Sequence, residues 1–326
     1  LPMLEKRKAT DLIKALSSDV EIFAKEGDEA NARFYATLRV ARTALPSDLR
    51  DLLALLGMHE KFIHLGLFQD MAQKVGAEWT REPMSRFADA LVHMGLIFDR
   101  GNDVYELHPA LTGYLRSGAA GDMPDDSGNL WARAFVGVMG TLADDLAPKP
   151  LHEQRGWFHL FGAGFYHAME IAGQLEMHSY YRAILQALAQ YANITMSLSE
   201  AQNLFEKLAQ AHKKNGTSEG EAGAYHQLGI IAEEQRDFQT AEKWYRKSLE
   251  ISEKHGNEHG AASTYHQLGI IAEKQRDFQT AEKWYRKSLE ISEKLSIDHW
   301  ASTYHQLGRI AEEQRDFQTA EKWYRK

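Results

Sequence analysis

The segment from Tyr225 to Ile251 returns from Tyr265 and again from Tyr304, nearly letter for letter, at spacings of 40 and then 39 residues. A fixed period in the range of roughly 20–50 residues restricts a chain to a solenoid, a propeller or an array. Each period reads as two helices. Tyr225, Leu228, Ile231 and Ala232 keep the three-to-four spacing of one helical face. Gln235-Arg236-Asp237 interrupts that pattern, and Phe238, Ala241, Tyr245, Ser248 and Leu249 form a second stripe. Gly229 and Ala241 are small enough to let two helices approach, while Tyr225, Phe238 and Tyr245 fill the space between them. A single unit of this kind cannot bury its own apolar face, so it must stack on a neighbour.

These residues resemble the tetratricopeptide repeat, which places a large residue, Leu-Gly, a small residue and an aromatic at set offsets. Tyr225, Leu228, Gly229, Ala241 and Tyr245 match, as do Tyr265, Leu268, Gly269, Ala281 and Tyr285, and Tyr304, Leu307, Gly308, Ala320 and Tyr324. Ala232 stands where the family often has Tyr, and no Pro ends the second helix. The period exceeds the usual 34 residues or so, and the extra length is expected in the second helix and its loop. Stepping back one period, Leu188, Ala189, Ala192, Leu198, Ala201 and Phe205 fall on the core positions. The array is therefore expected over 184–326, with a divergent first repeat at 184–223 and further repeats from about 224, 264 and 303, the last one truncated. Exposed positions such as Glu242, Lys243, Arg246 and Lys247 also recur, which points to recent duplication.

The resemblance implies a concave groove lined by the first helix of each repeat, with a protein or peptide as its ligand. By the family's offsets His226, Ile230 and Glu233 point into it, followed by His266, Ile270 and Glu273, and then by His305, Arg309 and Glu312. That is a ladder of His and Glu, not a clamp of Lys and Asn for a terminal carboxylate. The three Glu residues are expected to be exposed, so that replacing them together would alter ligand response without unfolding the array.

Before the array the chain reads differently. Leu12, Ile13, Leu16, Val20 and Phe23 give residues 1–44 a helical stripe, and Ser47 is suited to cap a new helix. Over 45–117 three helices are expected, near Leu49–Leu56, Leu67–Val75 and Thr80–Met94. Leu96–Phe98 and Val104–Leu107 then flank a Gly-containing turn, a hairpin signal. His108-Pro109 opens a further helix. Three helices and a hairpin make a winged helix, so the fold class expected is all-α: a winged-helix unit with a small β-hairpin, then an α-solenoid. Residues 118–129 read as a linker and 130–183 as a helical connector. There Trp131, Phe135, Val138 and Met139 form one core stripe, and Trp157, Phe161, Phe165, Ala168 and Met169 another.

A winged helix can bind DNA, but residues 1–117 carry 15 Lys and Arg against 17 Asp and Glu. Duplex binding draws on phosphate neutralisation by cations, so no nucleic acid partner is expected, and a transcription factor is disfavoured. The order of a Leu45-Pro46 lead-in, a winged helix, Leu107-His108-Pro109 and repeats resembles the part of STAND signal-transduction NTPases that follows their nucleotide-binding core. In that family a winged helix closes over bound ADP and a His at the start of a helix reaches the phosphate. His108 matches that position, although Leu107 and Pro109 replace the flanking Met and Asp. The resemblance implies a sensor module of a signalling switch, with ADP or ATP bound only in the full-length protein and a homo-oligomer on activation. The alternative is a static scaffold or adaptor with no nucleotide partner.

No G-x-x-x-x-G-K-[ST] phosphate loop and no G-x-S-x-G elbow occurs, so no catalytic constellation and no cofactor are expected in this stretch. His159 to Phe165 contains a G-x-G read as a close helix crossing. His59 and His64 stand five apart, a spacing that diverges on a helix, so a zinc site is not expected. The chain has no Cys, which excludes a disulfide scaffold. Without a long apolar run or a leader, a cytoplasmic protein with no membrane contact is expected. A start at Leu1 and an end inside a repeat suggest a fragment of something longer.

Overall fold

The computed structural model describes residues 50–76, 80–116, 125–295 and 300–326, with scattered positions before Arg50. Apart from those positions, the expectations for 1–44 and for Ser47 lie outside the described residues. The chain divides into two compact units, Leu1–Ile184 and Leu185–Lys326.

In the first unit α1 (Arg50–Leu55) leads through a single 3-10 turn to β1 (Phe62–His64), α2 (Leu65–Lys74) and α3 (Arg81–His93). Strands β2 (Ile97–Asp99) and β3 (Val104–Leu107) and helix α4 (Pro109–Arg116) follow. The apolar faces meet where Leu52, Leu56, Phe68, Met71, Phe87 and Leu91 are all essentially inaccessible. Gly101, Asn102 and Asp103 take left-handed φ values of 81°, 51° and 62°, which reverses the chain between β2 and β3. The hairpin is therefore where the Gly-containing turn placed it. It is not alone: β1 pairs antiparallel with β3, with Ile63 opposite Tyr105, so the sheet has three strands in the order β1-β3-β2. This order of helices and strands is consistent with a winged-helix unit. The segment from His59 to His64 is thus a loop entering a strand, not a helix as the spacing argument assumed.

Two long helices complete the unit, α5 (Asp125–Leu146) and α6 (Leu151–Gln174). Their aromatic stripes are core: Phe135, Phe161 and Phe165 are buried, as are Val138, Met139 and Ala168. The G-x-G lies inside α6, but it is not a close crossing. A Cβ on Gly162 would meet nothing within 4 Å, and one on Gly164 would make ordinary contact with Met139. The close approach is at Gly140, where a Cβ would run into the Tyr180 ring.

Helix α7 (His178–Ile194) crosses into the second unit, which continues with α8 (Leu198–Lys214), α9 (Ser218–Glu234), α10 (Phe238–Lys254), α11 (Glu258–Lys274), α12 (Phe278–Leu295), α13 (Trp300–Glu313) and α14 (Phe317–Tyr324). Each first-to-second helix turn has the same backbone. Met196, Arg236, Arg276 and Arg315 sit at φ of 61°, 60°, 62° and 61°. The next amide reaches back to the helix, Ser197 N–H to Ala192 O at 2.8 Å and Asp237 N–H to Ala232 O at 2.9 Å. These are the bonds of a Schellman stop. The return turns repeat as well, at Glu176, Gly216 and Gly256, with φ of 53°, 67° and 69°. The divergent repeat is therefore built on the same backbone as its successors, and one return turn precedes it at Glu176.

Side chains start the helices. The Gly260 N–H donates to the Asn257 side-chain oxygen at 2.9 Å, and Asp237 accepts from Thr240 N–H at 3.1 Å. Helices α9 and α10 each have 17 residues, so the extra length of the period is shared between both helices and not confined to the second.

Candidate functional site

The geometry of the array follows from Gly229 and its copies. The Tyr245 ring crowds the space that a Cβ on Gly229 would need, and Tyr285 does the same at Gly269. Tyr245 and Tyr285 are fully buried. Each phenol then reaches the groove side: Tyr245 OH donates to Glu233 Oε2 at 3.0 Å, Tyr285 OH to Glu273 Oε2 at 3.0 Å, and Tyr324 OH to Glu312 Oε2 at 2.9 Å. Burial, with the neighbouring carboxylate, keeps the Tyr245 phenol protonated.

The carboxylates also tie one repeat to the next. Lys274 Nζ lies 2.6 Å from Glu233 Oε1, and Arg309 Nη2 lies 2.9 Å from Glu273 Oε1. Only 15% and 17% of the Glu233 and Glu273 side chains remain accessible. The expectation that these Glu residues are exposed is thereby corrected for Glu233 and Glu273. They are joints of the solenoid, so replacing the three together would strip a hydrogen bond from each buried Tyr. Glu312 is exposed, but it too carries a Tyr bond. Ile230 and Ile270 are half-buried against the apolar clusters of the array, and Arg309 occupies the Ile position to make its bridge.

The histidines are arranged differently. His226 Nδ1 lies 3.2 Å from Thr264 Oγ1 in the next repeat, and His266 Nδ1 lies 3.1 Å from Thr303 Oγ1. Thr264 spends its single proton on the Gly260 carbonyl at 2.8 Å. It can therefore only accept from His226, which assigns the proton to Nδ1 and leaves Nε2 as an acceptor. Burial lowers the His226 pKa to about 4, outweighing the opposing pull of Glu233, so the ring is neutral at pH 7. Ser248 Oγ joins the same cluster, 3.4 Å from Thr264 Oγ1. His305 is exposed, its ring 5.5 Å from that of Tyr324.

Between the first helices of successive repeats lies a recess. One of about 290 Å³ is bordered by His226, Ser248, Ser252, Ser263 and Thr264. Another of about 240 Å³ is bordered by His266, Ser288, Ser292, Ser302 and Thr303, with His226 at its edge. These two sets are the same positions one period apart. The repeat offsets place His226 and His266 on this face, and the sequence pattern puts Ser248 in the stripe of the second helix without assigning its hydroxyl to the groove. Ser248, Ser252, Ser288 and Ser292 sit on the buried side of the second helices, where an apolar side chain would be expected; that polarity was the available signal.

His108 stands between β3 and α4, its backbone N–H donating to Leu96 O at 3.0 Å and its ring 6.3 Å from that of Phe98. In the same unit His59 is buried between Phe68 and Phe135. His64 is half-buried at the end of β1. No helix among the described residues is long and apolar enough to cross a membrane.

Comparison with known proteins places this geometry. Residues 220–294 and 260–326 match a family model of the tetratricopeptide repeat. The array is thus a tetratricopeptide-repeat interaction module. No curated protein matches the chain. Among solved structures, BtubC (BKLC) from P. vanneervenii aligns with a TM-score of 0.50 at 22% identity, over 62% of this chain and 89% of that one. A STAND protein with a tetratricopeptide repeat sensor from Pyrococcus horikoshii aligns with a TM-score of 0.41 at 15% identity, over 86% of this chain and 50% of that one. At these identities the first likeness speaks to the helical-repeat fold alone.

Proposed function

We propose that the groove of residues 185–326 receives an extended segment of a partner protein, and that this is the protein's working surface. The observation that carries this reading is the recurrence of one recess at one-period spacing. A surface repeated in register suits a ligand that is itself a repeating, extended chain. Ser263 is exposed and borders both recesses, so it can be changed without touching the core. Peptides selected on an array with the immobilised full chain are expected to bind Ser263→Trp at least tenfold more weakly, with the helical circular dichroism unchanged. Equal binding by wild type and variant would refute a groove-bound partner.

The finer reading is that this array is the cytoplasmic sensor of a STAND-type switch, coupled through residues 45–117 to a nucleotide-binding domain elsewhere in the polypeptide. What supports it is local: His108 follows the last strand of the small sheet and opens α4. There an imidazole ring N–H would donate to an ADP phosphate oxygen. His108→Ala in the full-length protein is expected to lower ADP occupancy and raise basal output. If nucleotide content and output both equal those of wild type, His108 merely starts a helix, and the static scaffold becomes the better account.

A further inference from the structure

We propose that the recess bordered by His226 and Ser252 is a pocket for a carboxamide, the side chain of an Asn or Gln carried by the partner segment. This rests on the groove reading above and gives it a chemical class of ligand.

The recess at Ser252 shows what it asks for. Ser252 is 1% accessible, and its Oγ has no hydrogen-bond partner among the described residues. A buried hydroxyl without a partner is costly, so its environment is completed by something that accepts a proton. Ser252 borders the recess, together with Ser248 and Thr264, where the Ser248 hydroxyl donates to Thr264 Oγ1. On the facing helix, His226 Nδ1–H is spent on Thr264. That leaves Nε2 as an acceptor, and His226 has no donor to it among the described residues. Of its buried groups, the recess therefore offers a spare donor on α10, Ser252, and a spare acceptor on α9, His226, while Gln227, Asn257, His259 and Ser263 complete its polar border.

Its charge narrows the ligand further. Among the described residues no Lys or Arg borders either recess, and the one carboxylate is that of Glu219, on the first. An incoming carboxylate would find no Lys or Arg at the border among the described residues, only the exposed His259, and would lack the proton that Nε2 accepts. An ammonium would have no acceptor for Ser252. A carboxamide supplies both partners from separate atoms: its carbonyl oxygen accepts from Ser252 Oγ–H, and its N–H donates to His226 Nε2. At about 290 Å³ and 240 Å³ the recesses hold several times the roughly 30 Å³ of a water molecule. The second recess repeats the residue types at Ser292, Thr303 and His266, but the orphaned hydroxyl belongs to Ser252, so the assignment is to the recess at Ser252.

Acetamide is the probe. Titrated into the full 326-residue chain with labelled imidazoles, it is expected to shift the His226 ring signals saturably. Acetate, methylammonium and ethanol at equal concentration should leave them in place. Ser252→Ala removes only the unpaired hydroxyl, so its melting temperature should match wild type while the acetamide response at His226 falls at least fivefold. No saturable shift with acetamide, an equal shift with acetate or ethanol, or an undiminished response in Ser252→Ala would each overturn the assignment. Should acetamide fail while Ser263→Trp still blocks peptide binding, the groove reading stands without the carboxamide. If acetamide binds but Ser263→Trp leaves peptide binding intact, the pocket is real and the partner docks elsewhere.

Discussion

Gly269→Ala is expected to destabilise the helical array by about 2 kcal/mol, although Ala is ordinarily the better helix residue. On an open helical face the change would gain about 1 kcal/mol. At Gly269 the new methyl would stand 2.5 Å from Tyr285 Cε1, 2.6 Å from Cδ1 and 2.9 Å from Cζ. Those atoms belong to a rigid ring that is fully buried, so no flexible end can swing aside. Moving the ring also breaks the 3.0 Å bond from its hydroxyl to Glu273, which Arg309 shares at 2.9 Å. Overpacking costs about 1–3 kcal/mol, and a hydrogen bond to a charged group adds about 1.5–3 kcal/mol where it is lost. Together these outweigh the propensity gain. The check is a double-mutant cycle by urea denaturation. In a Tyr285→Leu background the clash is gone, and Gly269→Ala should turn neutral or stabilising. Destabilisation of equal size in both backgrounds would mean that the ring is not what requires glycine.

That glycine was legible in the sequence because three copies of the period place Gly and Tyr at constant separation. Near-identity did what a single copy cannot. The divergent repeat was legible from side-chain volumes alone, and the left-handed residue at Met196 shows why. The backbone motif that stops each helix depends on a hydrogen-bond pattern, and Met, Arg and Gly all serve there. Strand β1 was not legible: three residues carry no period, and they form a strand only because β3, some forty residues on, supplies the pairing. The groove was half legible. Offsets put His226 and Glu233 on the right face, but offsets say nothing about what lies opposite. Glu233 meets a Tyr from its own repeat and a Lys from the next, and His226 meets Thr264 across the interface. Those partners turned a supposed row of free ligands into joints and left the openness to the hydroxyl-lined recess between them.

The first unit should lose up to about 3 kcal/mol of stability between pH 6.5 and pH 4, and His59 supplies the reason. Its ring is 5% accessible and packs edge-on to Phe68 and Phe135, at centroid distances of 5.8 Å and 5.3 Å. Its Nε2 has no hydrogen-bond partner among the described residues. Burial first, and the nearby His167 second, lower its pKa from 6.5 to about 4. In the unfolded chain the same ring takes a proton near pH 6.5. Between these values the unfolded state binds more protons than the native one, so stability falls as pH falls, and it is level above the unfolded pKa. Acidic groups held low by partners, such as Asp103 beside Arg81, act at more acid pH and do not produce this slope. His64, lowered chiefly by burial, adds to it in the same direction. His59→Leu keeps an apolar side chain in the site and removes the proton. Urea midpoints followed by tryptophan fluorescence at pH 7.5, 6 and 5 should therefore decline steeply for wild type and much less for His59→Leu, with the residue left by His64. Parallel declines in the two proteins would show that His59 is already protonated in the native state, which its aromatic surroundings argue against.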